Sequence, residues 1–114
     1  MAVGFATADT LIAGDNLGYL QLIDVRNQTS QYLSEVEGAP VYAVSMSPTD
    51  SVFGVGRGDS TLELWNTSGE RIAAVKAHGD AVGAYKWIES VDWFPDGRRI
   101  CTYGGGDTRI WSIS

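Results

Sequence analysis

The chain has 114 residues, of which 44% are hydrophobic and 19% charged, and a net charge of −6; it reads as a globular chain rather than a disordered one, long enough for one ordinary domain or part of a larger one. Acidic residues are scattered singly and Arg98-Arg99 is the only basic pair, which argues against nucleic-acid binding, since a phosphate-binding surface needs clustered cations. The single cysteine, Cys101, rules out an intrachain disulfide, and no apolar run approaches the length of a membrane span, so the sequence points to a soluble protein of the cytoplasm or nucleus with no membrane partner.

In chain order, glycines fall between short apolar stretches rich in β-branched and aromatic residues, and no window carries a capped helical period. The start, Met1 through Asp9, lacks the basic n-region and apolar core of a signal peptide. It reads instead as a strand over Ala2–Ala6. Strands follow at Leu11–Gly14, Tyr19–Val25 and Gln31–Val36, with Asp15-Asn16-Leu17-Gly18 as the first turn. A second cycle predicts strands at Val41–Met46, Val52–Val55, Thr61–Trp65 and Arg71–Lys76, punctuated by Ser47-Pro48 and by Gly56-Arg57-Gly58-Asp59. A third predicts Ser90–Trp93, Arg99–Tyr103 and Arg109–Ile113, with Phe94-Pro95-Asp96-Gly97 as a turn. Eleven short strands so spaced predict an all-β meander.

The cycles are self-similar. Asp59-Ser60-Thr61-Leu62-Glu63-Leu64-Trp65 closes one unit and Asp107-Thr108-Arg109-Ile110-Trp111 the next, with the two tryptophans 46 residues apart. A weaker copy runs from Leu17 to Asp24. Such a period predicts stacked four-stranded antiparallel blades: residues 1–37, residues 38–77 and an incomplete third blade, residues 78–114. Aligned on the tryptophans, Leu22, Leu64 and Ile110 superpose, and these apolar residues are expected between blades. Gln21, Glu63 and Arg109 also superpose, at a position expected to be partly exposed.

These residues resemble the WD40-repeat β-propeller family. The third cycle matches best, through Ala77-His78-Gly79-Asp80, Val91-Asp92-Trp93-Phe94-Pro95-Asp96-Gly97 and Trp111-Ser112; the second keeps Ser47-Pro48 and Asp59 through Trp65-Asn66. The resemblance implies a partial propeller and, in the third blade, a buried structural network of His78, Thr102, Asp107 and Trp111. Asp107 lies four residues before Trp111, whereas Asp59 lies six before Trp65, which sets the two turns apart. The second blade keeps Asp59 and Trp65, with Gly54 read at the Ser/Thr position.

Read as chemistry, His78 with Asp107 would be a base and its orienter, but catalysis needs a nucleophile or a metal beside them. One His and one Cys make no His/Cys zinc site. Gly104-Gly105-Gly106 joins two strands, with no helix to form a phosphate loop. Neither a cofactor nor a metal is expected. Between His78 and Trp93 the family spacing is exceeded by about six residues, and Tyr85, Lys86 and Trp87 there have the side chains of interaction hot spots; a loop folded back on the core, or a longer strand, are the plain alternatives.

Two blades and three-quarters do not close a ring, which needs at least four blades. The chain therefore reads as the C-terminal part of a larger propeller, a non-catalytic scaffold that contacts protein partners through its rim loops. The missing blades would come from a longer chain or from other copies of itself. The other readings are a self-assembling fragment with a purely structural role, and a propeller enzyme. Neither end carries an evident polar cap.

Overall fold

The computed structural model describes residues 2–6, 9–34, 39–78 and 87–113. These form eleven strands in three antiparallel sheets. The first sheet contains β1 (Ala2–Ala6), β2 (Thr10–Asp15), β3 (Leu20–Asp24) and β4 (Thr29–Ser34), each hydrogen-bonded to the next. The second contains β5 (Val41–Met46), β6 (Val52–Arg57), β7 (Thr61–Asn66) and β8 (Arg71–Lys76). The third has β9 (Ile88–Trp93), β10 (Arg99–Gly104) and β11 (Asp107–Ser112).

Side-chain oxygens at fixed offsets form the turns. Asp15 Oδ1 accepts from the amides of Leu17 and Tyr19 at 3.0 and 3.1 Å, and Gly18 takes a φ of 90°. Asn66 Oδ1 does the same for Ser68 and Glu70, with Gly69 at a φ of 96°. An Asx oxygen that satisfies the turn amides, together with a glycine that accepts positive φ, reverses a strand without strain.

The sheets stack face to face, and the inner strands β1, β5 and β9 are neighbours. Two apolar layers hold them. Ile12, Leu20, Val41, Phe53, Val55 and Trp65 fill the first junction. Ala43, Leu62, Leu64, Ala77, Ile88, Val91 and Ile100 fill the second, with Trp93 and Trp111 packed against them. The Trp93 indole also donates to the Ser45 carbonyl at 2.8 Å. Close approach depends on missing side chains: a Cβ on Gly14 would run into Val41, and one on Gly56 would lie 2.6 Å from Ile88 Cγ2.

Register corrects three expectations. Phe53 pairs with Trp65 and Ile100 with Trp111, so Thr102 corresponds to Val55, one residue beyond Gly54. Gly54 instead faces the third sheet, where an added Cβ would lie 2.7 Å from Ile100 Cδ1. Glu63 is buried at 5% exposure, and Ile110 is 59% exposed because it lies on the third sheet's outward face. Gly56→Ala is expected to force Ile88 aside and to lower stability by about 1–3 kcal/mol, the usual cost of overpacking; a drop in the urea midpoint with an unchanged slope would show it.

Candidate functional site

In the third sheet, Thr102 is fully buried on the face that meets the second. Its hydroxyl accepts the Trp111 indole N–H at 3.1 Å and lies 2.9 Å from His78 Nε2. His78 is also fully buried, and its backbone amide donates to Ser60 Oγ at 2.7 Å. Ser60 holds a φ of 74° in the β6–β7 turn, and its carbonyl accepts from Ala77 at 2.9 Å. One serine thus seats the chain as it passes from the second sheet towards the third.

His78, Thr102 and Trp111 are therefore brought together. Asp107 is exposed at the start of β11, where it pairs with Gly104, and its carboxylate accepts from Arg109 Nε at 2.8 Å. That hydrogen bond, aided by the charges of Arg109 and His78, holds the Asp107 carboxyl below the usual carboxylate range. Asp59, in contrast, lies in the turn before β7, so the two aspartates are not equivalents. Asp59 accepts from the Thr61 amide at 3.1 Å and pairs with Lys76 at 3.1 Å. Burial pushes its carboxyl up, but the bonds from Thr61 and Lys76 outweigh this and leave it lowered.

The second sheet solves the same tryptophan problem differently. Val55 stands where Thr102 does and cannot accept a hydrogen bond, so the Trp65 indole donates to Glu63 Oε1 at 3.1 Å. Glu63 is held in turn by Arg57 Nε at 2.9 Å and by Arg71 at 3.3 Å. The buried Arg57 guanidinium also donates to the carbonyls of Gly18 at 3.0 Å and Ala39 at 2.8 Å. The buried carboxylate and guanidinium thus face each other, and Arg57 Nε and Nη1 both have acceptors, as burial requires. Sequence reasoning missed Arg57, Glu63 and Ser60. The available signal was an acidic residue between Leu62 and Leu64, two positions before a tryptophan.

His78 Nε2 is sealed against Thr102 inside the stack. Among the described residues, no group of three or more His, Cys, Asp or Glu could hold a metal ion. Cys101 is half-buried on the outward face of the third sheet.

The rim offers a different kind of site. Because the strands alternate in direction, the β2–β3, β4–β5, β6–β7, β8–β9 and β10–β11 connections share one rim; the bonds from Arg57 to Gly18 and Ala39 tie three of them there. At this rim Trp87 stands just before β9, half-buried, with its ring edge-on to Tyr42 at 6.2 Å. Tyr42 is the bulged residue of β5, and Pro40 lies beside it against Gly58. Leu17 is exposed on the same rim. Tyr85 and Lys86 lie outside the described residues. Sequence reasoning missed Tyr42, whose outward turn comes from the bulge.

The family model for "WD domain, G-beta repeat" matches residues 30–66 and 69–112. No curated protein matches the chain. Among solved structures, the computationally designed Ika4 protein superposes with a TM-score of 0.77 at 13% identity, over 97% of this chain and 64% of that one. The designed Ika8 protein gives 0.75 at 14% identity, over 96% of this chain and 32% of that one. The chain thus spans less than two thirds of either.

Thr102→Val is expected to strip the indole and imidazole of their shared hydroxyl and cost about 1–3 kcal/mol, with Thr102→Ser near wild type, both read by urea denaturation. Glu63→Ala leaves the buried Arg57 without its counter-ion and is expected to cost about 3–5 kcal/mol. Asp24 and Asp96 are also lowered, by hydrogen bonds from Asn27 and from the Arg98 amide respectively. A carboxylate lowered in the fold contributes stability above the unfolded value of 3.8 that is lost as pH falls through the folded one. The urea midpoint is therefore expected to decline as pH drops below about 4.

Proposed function

From the premise that this chain belongs to the WD40-repeat family, we propose that it is a non-catalytic scaffold that binds protein partners through one propeller rim. Rigid stacked sheets hold the loops, and a few aromatic anchors supply the affinity. The observation that carries this reading is the Tyr42–Trp87 pair, two large aromatic rings half-exposed at the rim beside Pro40. Tyr85 and Lys86, which precede Trp87 in sequence, are further candidate partner contacts on residue type alone. The family is generally non-catalytic, and the burial of His78 supports that reading here.

In this reading the blades are residues 1–37, 38–77 and 78–114, with His78, Thr102, Trp111, Asp59 and Trp65 in structural roles and Asp107 steadying Arg109. The chain is part of a larger ring, whose remaining blades come from a longer chain or from further copies. Its compartment is the cytoplasm or nucleus, with no part for nucleic acid, membrane or cofactor.

Affinity capture with the purified chain tests the rim. Tyr42→Ala combined with Trp87→Ala is expected to lose the proteins retained by wild type, with affinity weakened at least about tenfold, as removal of a hot spot does. Phe94→Ala, on the opposite rim, is expected to retain them. Unchanged capture by a variant with a native circular dichroism spectrum overturns the reading.

A further inference from the structure

The two buried junctions are built alike. At each, a glycine on one sheet admits the leading residue of the next inner strand: Gly14 meets Val41, and Gly56 meets Ile88. The residues paired with those glycines, Leu20 and Leu62, are buried. The third sheet carries the same positions on its outward face, where register places Tyr103 paired with Thr108. Tyrosine therefore stands where glycine stood, 39% exposed, and threonine where leucine stood. Asp92 likewise replaces Ser45, and Ser90 replaces Ala43. This face is more polar than the internal ones, contrary to the expectation that neither end is capped.

A strand led by valine or isoleucine cannot close over Tyr103 as it closes over glycine, because a well-packed junction has no room for a second large side chain. A strand led by a small residue can. The chain contains one. In β1, Ala2 pairs with Asp15, the register place held by Val41 opposite Arg57 and by Ile88 opposite Gly104. The first sheet also presents Leu11, Ala13 and Ile23, all half-buried, at the positions by which the second and third sheets dock onto their predecessors through Phe53, Val55 and Trp65 and through Ile100, Thr102 and Trp111.

We propose that the outward face of the third sheet receives the first sheet of a second copy of this chain, with Tyr103 set against the Ala2 position. The contact continues a series whose first two members are buried interfaces of this chain, with the large and small partners exchanged. Two copies joined at both ends give six blades, within the range in which propellers close, and a head-to-tail contact that closes leaves no sticky end. The proposal rests on reading the chain as part of a ring and is independent of what the rim binds.

Sedimentation equilibrium on the purified chain tests it. Wild type is expected at twice the chain mass. Ala2→Val, which restores the large leading residue opposite Tyr103, is expected to raise the dissociation constant at least about tenfold, a difference of ~1.4 kcal/mol. Adding Tyr103→Gly to that variant recreates an internal junction and is expected to restore pairing. Tyr103→Glu, exposed in the single chain, is expected to give the single-chain mass with an unchanged β spectrum. A single-chain wild type, an aggregate of no defined mass, or Ala2→Val pairing as tightly as wild type overturns the proposal. Loss of pairing with capture by the rim intact separates this failure from failure of the scaffold reading.

Discussion

Everything in this structure depends on how closely one sheet can lie on the next. Face-to-face stacking buries apolar area only where one surface yields space to the other, and here the space comes from backbone without side chains. Gly14, Gly54 and Gly56 face Val41, Ile100 and Ile88 respectively. The bulky partners are β-branched, with few rotamers to lose when packed. Each junction is therefore defined by shape as well as by hydrophobicity, and the order in which sheets follow one another is written into the sizes of facing residues.

That closeness sets a second problem. Once the sheets touch, a polar group on the inner faces has no water to turn to. Both tryptophans near the ends of the repeats carry an indole N–H into this layer, and the two sheets answer with different chemistry. A neutral hydroxyl and an imidazole serve Trp111. A carboxylate with two guanidinium partners serves Trp65. The second answer brings more charge into the interior but ties more of the chain together, because Arg57 reaches the backbone of the preceding sheet.

The architecture was legible in the sequence because turn chemistry and alternation are local. Asp15, Asn66 and Asp96 announce their reversals through residues within four positions of themselves, and the strands between them are short. Register was less legible. A slip of one residue turned Gly54 into the counterpart of Thr102, because the alignment of β6 with β10 is set by pairing across the sheet and not by spacing along the chain. Glu63 looked half-exposed for the same kind of reason: its buried partner, Arg57, lies on the neighbouring strand. At the rim, Trp87 was visible as an unusual residue, but its contact with Tyr42 follows from a bulge, which leaves no mark in the composition.

The guanidinium of Arg57 has a consequence for how such arrays change over generations. Its acceptors are split between its own sheet, through Glu63, and the Gly18 and Ala39 carbonyls that precede β5. A gene duplication that copied the second repeat alone would carry a buried cation away from one of its three acceptors, the Gly18 carbonyl. The heritable unit is thus longer than one repeat, and recombination that respects it must move the turn around Gly18 together with the strand that ends at Arg57.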